Sequence, residues 1–502
     1  MRIGTVSIVL LTGFLFIPVS SSAQEAFYLF RQPYLQQLQV DQVIIVWHTS
    51  LCSFGKVEFG QVEPGEIVIE SSSADSRHEV LLTDLAPGTT YSYRVVGTLL
   101  PDAPLPPDGV HQLASDTYRF RTSPRDKAEP VRAMVFGDAG AGTPEQLAVR
   151  DVVIQQAPDL VLVTGDLVYP FGSDEAYQSR FFDVYANLLS EACVYPAIGN
   201  HDAGGGSGRA SYERQFVLPA NNPQKSESYY SFDFGAAHFI SIDATETFVE
   251  EEVPQLEWIK SDLKSTTQPW KIVIMHHPVY TTGPHAYDRF KAERRAALTP
   301  VFDRFGVDLV LSGHDHLYER TFPVRDEIVR DGWQGDSYHD PRGTIYAITG
   351  GGGQFLYQRA ALDDLPYAAA YASVHHSLEL VVTDRQLSLR VHTTDGGILD
   401  PFTITKGNGR PAFSIIRGDV DNDQRLGLTD PVLVLNHLFR AAELSCPASA
   451  EFNGDARLDI TDAINSLQHQ FLGGAPPVAP FPDCGEINVD LDAFCKETPC
   501  AP

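Results

Sequence analysis

LVLVTGDLVY, residues 160–169, is the stretch on which the reading of this chain turns. Leu160–Val163 is an unbroken apolar run of strand length, the pattern of a strand buried on both faces. It ends at Gly165-Asp166, with Tyr169 three residues on. A carboxylate and a phenol then sit just past the carboxyl end of a strand, where open α/β sheets collect their ligands.

The same grammar recurs on both sides. Gly137-Asp138-Ala139-Gly140 follows the run Ala133–Phe136, and Gly199-Asn200-His201-Asp202 follows Val194–Ile198. His276-His277-Pro278 follows Ile272–Met275, and Gly313-His314-Asp315-His316 follows Leu309–Leu311. Any one of these motifs could be a turn or a helix cap. In His314-x-His316 an extended backbone points both imidazoles to one side, because strand side chains alternate. The five together offer hard oxygens and imidazoles enough for two metal ions, and a two-metal site is a device for cleaving phosphate esters.

Working outward, apolar runs alternate with helical stretches over residues 131–406, with further runs at His238–Ile242 and Thr344–Ile348 and helices expected at Pro144–Gln156, Glu175–Leu189 and Arg294–Phe305. This is an α/β layout. Residues 27–124 read instead as all-β. The expected strands are Val43–Trp47, Lys56–Phe59, Glu66–Ile69, Tyr91–Val95 and Tyr118–Arg121, at the spacing of a sandwich. The turn Leu85-Ala86-Pro87-Gly88-Thr89-Thr90-Tyr91 resembles that of fibronectin type III domains.

Beyond the α/β segment there is an internal repeat. Asp419–Asp430 aligns with Glu451–Asp462, thirty-two residues later, and an apolar helix is expected after each, at Pro431–Phe439 and Ala463–Leu472. Asp419, Asp421, Asp423 and Asp430 in the first copy, and Glu451, Asn453, Asp455, Asp459 and Asp462 in the second, fall at positions that wrap Ca2+ in an EF-hand loop. With Asp at position 12 and no entering helix, residues 415–474 resemble a type I dockerin, which implies a cohesin-like protein partner. Two departures stand out: Gln424 and Ala456 at the position that favours Gly, and Glu451 at position 1. Residues 475–502 form a Pro-rich, cysteine-bearing tail, read as an extended strap.

The ends and the composition bound the setting. Arg2, the apolar stretch Ile3–Val19 and Ser21-Ser22-Ala23 form an export signal over residues 1–23. No later segment is apolar enough to span a bilayer, so no membrane span is expected in the mature chain. Of 502 residues, 37 are Lys or Arg and 65 Asp or Glu, a net charge of −28. That surface repels nucleic-acid backbones. Cys446, Cys484, Cys495 and Cys500 crowd the end and suggest two disulfides with any of three pairings, whereas Cys52 and Cys193 are expected as small buried hydrophobes.

The order of the central motifs resembles that of the calcineurin-like metallophosphoesterases, and among them the purple acid phosphatases. The resemblance covers about residues 28–406, with the catalytic segment placed at 130–408. With the C-terminal repeat beyond it, three domains are expected in sequence: a fibronectin III-like all-β sandwich, an α/β metallophosphoesterase sandwich and a small α calcium-binding dockerin-like domain. The resemblance also implies two ligand sets. Asp138, Asp166, Tyr169 and His316 would hold Fe(III), and Asp166, Asn200, His276 and His314 a divalent Fe, Zn or Mn, with Asp166 bridging. His276 keeps the family spacing and His277 becomes a filler. A phenol titrating near ~10 suits a hard trivalent ion. The expected activity is acid phosphatase-type hydrolysis of phosphate monoesters by hydroxide from metal-activated water, with His201 and then His285 as proton donors to the leaving group. A phosphodiesterase or nucleotide phosphatase is the near alternative, and a non-catalytic surface-assembly module the distant one. Gly350–Gly353 lacks the Lys-Ser/Thr of a P-loop and is read as tight packing near the site.

Overall fold

The computed structural model describes residues 26–487 apart from 249–252, 331–336, 361–362, 408–412, 441, 443, 445 and 455–457. The expected leader at 1–23, Asp455, Cys495 and Cys500 lie outside the described residues. Among the described residues no helix is long and apolar enough to cross a membrane.

Two seven-stranded sheets form the centre. The first runs, in spatial order, Cys193–Pro196, Leu160–Val163, Val131–Phe136, His376–Val382, Gln386–Thr393, Ile398–Thr405 and Ser337–His339. The second runs Tyr230–Phe234, Ala237–Ile242, Trp270–Met275, Leu309–Ser312, Ile345–Thr349, Tyr318–Thr321 and Ala368–Ala372. The apolar runs of the sequence are the strands that pair in parallel: Val131–Phe136 with Leu160–Val163 and that with Cys193–Pro196, and likewise Ala237–Ile242, Trp270–Met275, Leu309–Ser312 and Ile345–Thr349.

Side-chain alternation explains why those runs have no polar face. In the second sheet Ile272, Ile274, Leu309, Leu311, Ile345 and Ala347 pack into the core shared with the first sheet. Their neighbours Val273, Met275, Val310 and Tyr346 pack on the other side with Trp258, Ile259, Leu298 and Phe302, from the helices Pro254–Ser265 and Arg289–Phe305. Both faces are therefore dry, and each run must be apolar throughout. The stretch expected as one helix at Glu175–Leu189 is two, Asp174–Tyr177 and Asp183–Glu191, joined by a wider π-type turn at Gln178–Phe182.

In the N-terminal β-rich domain the two strands expected at Val43–Trp47 and Lys56–Phe59 are one strand, Val43–Gly60. The backbone stays extended through Ser50, Ser53 and Gly55, and the strand changes partners there instead of turning. Its first half pairs with Leu29–Gln36 and Asp75–Leu82, its second with Ile67–Glu70 and Thr90–Leu99. Cys52 lies on this strand and is exposed, contrary to the buried place expected for it, because alternation turns it outward; Cys193 is buried as expected.

Near the C-terminus the helices Thr429–Arg440 and Ile460–Leu472 pack together around Val420, Val434, Leu444, Ala450 and Ala463. Phe413–Ile415 pairs with Gly485–Ile487, so the described start of the tail is tied back as a strand. Cys446 and Cys484 are both disulfide-bonded.

Candidate metal centre

Each ligand candidate leaves the carboxyl end of a strand. Asp138, Asp166 and Asn200 come from the first sheet, His276, His314 and His316 from the second. Three of them stand in the left-handed region, with φ of 57° at Asp138, 52° at Asp166 and 70° at His314. Such backbone costs about 1–3 kcal/mol per residue and persists where the surroundings impose it. The glycines before the motifs let the loops close on one another. A Cβ on Gly199 would lie 2.2 Å from Asp166 Oδ1, and one on Gly313 2.5 Å from Asp138 Oδ2. Of the Gly350–Gly353 run, Gly350 and Gly352 press against the carbonyls of Asp315 and Gly137, both 2.2 Å from a would-be Cβ. The run packs tightly beside the site.

All seven predicted ligands meet in one place. Tyr169 Oη lies 3.1 Å from Asp138 Oδ1, 3.0 Å from Asp166 Oδ2 and 3.4 Å from His316 Nε2. His276 Nε2 lies 2.9 Å from Asn200 Oδ1, 3.3 Å from Asp166 Oδ2 and 3.3 Å from His314 Nδ1. Asp166 therefore touches both groups. The far side of two rings settles their tautomers. His276 Nδ1 donates to the Thr164 carbonyl at 2.8 Å, and His316 Nδ1 to the Phe355 carbonyl at 2.8 Å. In the neutral rings, both Nε2 lone pairs then face oxygens. Lone pairs against carboxylates repel unless a positive charge lies between them, and a metal ion is that charge. The donor set fits two cations.

The electrostatics agree. Burial pulls the His276 imidazole down, yet Asp166 overrides it and pushes the ring up to about 9. In the metal-free protein a proton thus stands in for the cation, and metal binding would expel it. His314 is held well below its usual value by burial and by His277 and His276 beside it, so it is neutral and ready to ligate. Burial raises the Asp166 carboxyl, but His276 and His201 outweigh it and keep it ionised. Burial, with Asp138 and Asp166 close by, pushes the Tyr169 phenol well above its ordinary value. Only a strongly charged cation would make it a phenolate here.

The two predicted proton donors flank this set. His201 N donates to Asp166 Oδ1 at 2.9 Å, and its Nδ1 meets the Pro170 carbonyl at 2.6 Å. Its Nε2 lies 3.9 Å from Asp166 Oδ2. His285 Nδ1 lies 2.8 Å from Asp315 Oδ1, and its ring centroid is 4.0 Å from that of His314. His277 is buried, with its ring 4.3 Å from that of His314; its position allows it near the histidine group, but the contacts to Asn200 and Asp166 belong to His276.

Two residues inside the motifs received no role from sequence. Asp315 is fully buried and accepts from Thr281 Oγ1 at 2.5 Å as well as holding His285. Its signal was its place between His314 and His316. Asp202 accepts from the backbone N–H of Gly199 at 2.9 Å and of Leu167 at 3.1 Å, and from Tyr177 Oη at 3.0 Å, so it stitches two ligand loops together.

In the C-terminal repeat the structure gathers Asp419, Asp421 and Asp423, with one ligand atom of each within 4.8 Å of the others. Asp430 is turned to the backbone N–H groups of Val420, Asp421 and Gly427. Gln424 adopts φ of 65° where Gly was favoured. In the second loop Glu451 is paired with the buried Arg417 guanidinium, Asp462 accepts from Phe452 N at 2.8 Å and Asp459 caps the following helix through Thr461 N at 2.7 Å. Asn453 Nδ2 donates to Thr461 Oγ1 at 3.3 Å.

Comparison with known proteins points to the same class. Residues 131–318 match the family model of calcineurin-like phosphoesterases. Acid phosphatase type 7 of Homo sapiens is 30% identical over 298 residues, covering 55% of this chain and 64% of the relative. Purple acid phosphatase 23 of Arabidopsis thaliana is 27% identical over 328 residues, covering 59% and 66%. The chain thus spans slightly less than two thirds of these relatives. Among solved structures, a purple acid phosphatase from yellow lupin (Lupinus luteus) seeds superposes with a TM-score of 0.66 at 23% identity, over 75% of this chain and 74% of that one. PhoD superposes at 0.55 with 14% identity, over 78% and 92%. The central fold is that of the metallophosphoesterases, and the chain is similar to purple acid phosphatases.

Proposed function

We propose that residues 130–408 form a two-metal phosphatase that hydrolyses phosphate monoesters, of the acid phosphatase type. The observation that carries this reading is the pair of imidazole Nε2 atoms, on His276 and His316, aimed at carboxylate oxygens while backbone carbonyls hold their Nδ1 protons. Asp138, Asp166, Tyr169 and His316 would hold Fe(III), and Asp166, Asn200, His276 and His314 a divalent Fe, Zn or Mn. Bound there, two cations offset charge on the phosphoryl oxygens and acidify a water, so that hydroxide is available below neutral pH. His201 keeps its Nδ1 proton on the Pro170 carbonyl. Its protonated Nε2 gives a proton to the leaving oxygen as the P–O bond breaks. Asp315 orients His285, which places a second candidate donor beside His314.

Loaded with iron and a divalent metal, the protein is expected to be purple and to cleave p-nitrophenyl phosphate at acid pH much faster than bis(p-nitrophenyl) phosphate. A colourless protein active with manganese or zinc alone would overturn the Fe(III)–Tyr169 assignment. Equal or faster diester cleavage would replace the monoesterase reading with the phosphodiesterase one.

A second role for residues 415–474, calcium-dependent docking to a cohesin-like partner, is favoured by one observation. Leu428, Val432 and Phe439 are exposed, and so are Ile460, Ile464 and Phe471, their counterparts thirty-two residues on. Calcium at the Asp419–Asp423 cluster would rigidify this unit, so Ca2+ should raise its melting temperature and chelation should lower it. Unchanged melting would remove calcium from the account. Export rests on residues 1–23 and is tested by N-terminal sequencing of the protein recovered outside the cytoplasm.

A further inference from the structure

Two phenylalanines stand out at the rim of the metal centre. Phe171 is 55% exposed and Phe355 64% exposed, although each belongs to a loop that holds the site together. The Phe171 ring lies 6.2 Å from that of His201, with 28° between the planes. Its loop is locked there: Gly172 N donates to the His201 carbonyl at 2.9 Å, and the Pro170 carbonyl meets His201 Nδ1. Beneath the ring is a glycine shelf. A Cβ on Gly204 or Gly205 would come within 3.1 Å of Phe171 side-chain atoms. The Phe355 carbonyl fixes His316, and its ring meets His316 edge-on at 5.4 Å and Tyr357 at 5.2 Å. Tyr357 in turn stacks on His316 at 4.2 Å with 11° between planes.

Exposed apolar rings held by a catalytic frame have no packing reason to be there, since exposure forfeits the burial an aromatic side chain gains in a core. They offer flat walls to whatever group emerges from the centre. The guanidinium groups on these loops are engaged elsewhere. Arg180 Nη1 donates to the Tyr169 carbonyl at 2.8 Å, and Arg359 Nε to Thr282 Oγ1 at 2.8 Å, with its guanidinium 4.2 Å over the Tyr371 ring. The net charge of −28 further disfavours highly charged esters.

We propose that this centre selects phosphate monoesters whose alcohol carries a planar ring, aryl-type or nucleoside-type, and that Phe171 and Phe355 are the specificity-determining residues that stack on it. The proposal rests on the phosphatase reading above. Phe171 lies against His201, the donor to the leaving oxygen, so a ring one or two bonds from that oxygen reaches it. Stacking of this kind is worth about three- to tenfold per ring.

The test compares benzyl phosphate with n-butyl phosphate on the metal-loaded enzyme. The two leaving alcohols are of similar acidity, so the ratio of their kcat/KM values reports the ring and not the chemistry. We expect a ratio of about ten or more in the wild type. It should fall by about three- to tenfold in Phe171→Ala or Phe355→Ala and return in Phe171→Trp. Calorimetric binding of benzylphosphonate and butylphosphonate gives the same ratio without turnover. A wild-type preference near one, or alanine variants that leave both ratios unchanged, overturns the proposal. Preference for a polyphosphorylated inositol over benzyl phosphate overturns it as well. If neither ester turns over, the phosphatase reading falls, and the phosphonate ratio still decides the role of the rings.

Discussion

Asn200 is bound into the centre through a 2.9 Å contact with His276 Nε2, and it is the one side chain in the ligand set that cannot titrate. Asn200→Ala, or His314→Ala, removes a ligand atom from the second metal position. Turnover should fall by about a thousandfold or more, with circular dichroism unchanged, since one metal position then loses its hold on the reacting group. Tyr169→Phe deletes only the oxygen that lies between Asp138 and Asp166. Its expected signature is loss of the visible absorption band, measured on protein of verified metal content. Asp315→Asn keeps the shape but removes the charge that orients His285; kcat should drop about ten- to a hundredfold with little change in KM. The ligand residues themselves were legible in sequence, because Asp, Asn, His and Tyr directly after apolar runs are chemically distinctive. The atoms that set their tautomers were not. Those are the carbonyls of Thr164 and Phe355, and a backbone carbonyl is the same in every residue.

At the scale of elements, the strand Ala237–Ile242 carries a buried histidine between two carboxylates. His238 is clamped by Asp233 at 2.6 Å and Asp262 at 2.8 Å, the latter on the helix Pro254–Ser265. Burial pulls its pKa down, but the two carboxylates outweigh burial and raise it to about 9. The folded value lies above the unfolded one, so the stabilisation is full below about pH 6.5 and is lost as pH rises through about 9. Discounting for the exposed side of Asp233, His238→Gln should cost about 2 kcal/mol near pH 6. The difference should shrink toward zero near pH 10, read by urea unfolding at both values. Strands with two dry faces were easy to find by pattern, and those of the first domain less so. Asp75–Leu82 alternates buried and exposed positions among charged residues, Leu29–Gln36 is broken by Arg31, Gln32 and Pro33, and the strand character of both comes from pairing with Val43–Gly60.

Across the whole molecule, the N-terminal domain and the α/β domain share one hydrophobic core: Tyr34, Leu35, Trp47 and Tyr93 belong to the same cluster as Phe182, Tyr195 and Phe216. Arg31 is the polar centre of that junction. Its Nε donates to Gln178 Oε1 at 2.7 Å and its Nη2 to Gln215 Oε1 at 2.9 Å, while the guanidinium lies 3.7 Å over the Phe182 ring. Tyr93 Oη donates to the Ser190 carbonyl at 2.8 Å and Tyr195 Oη to the Leu38 carbonyl at 3.0 Å. The two domains should therefore melt in one transition. Arg31→Ala leaves two buried amide oxygens, Gln178 Oε1 and Gln215 Oε1, without the donor they have here, at a cost of about 3 kcal/mol. Scanning calorimetry should show that single transition moved down whole; two separated transitions in the wild type would refute the shared core.

The sequence by itself determined which residues can ligate, which runs are strands and in what order they come, because donor chemistry and hydrophobic period are properties of local stretches. The tertiary structure decided what those residues do together. Asp138, Asp166 and Asn200 stand at the ends of one sheet, His276, His314 and His316 at the ends of another, and only the packing of the two sheets makes them one centre. The same packing set Phe171 and Phe355 at its rim and joined Arg31 to its glutamines. Contacts across 30 to 184 residues of chain leave no local period to read, since they arise from the geometry of packed sheets and not from the spacing of residues along a strand.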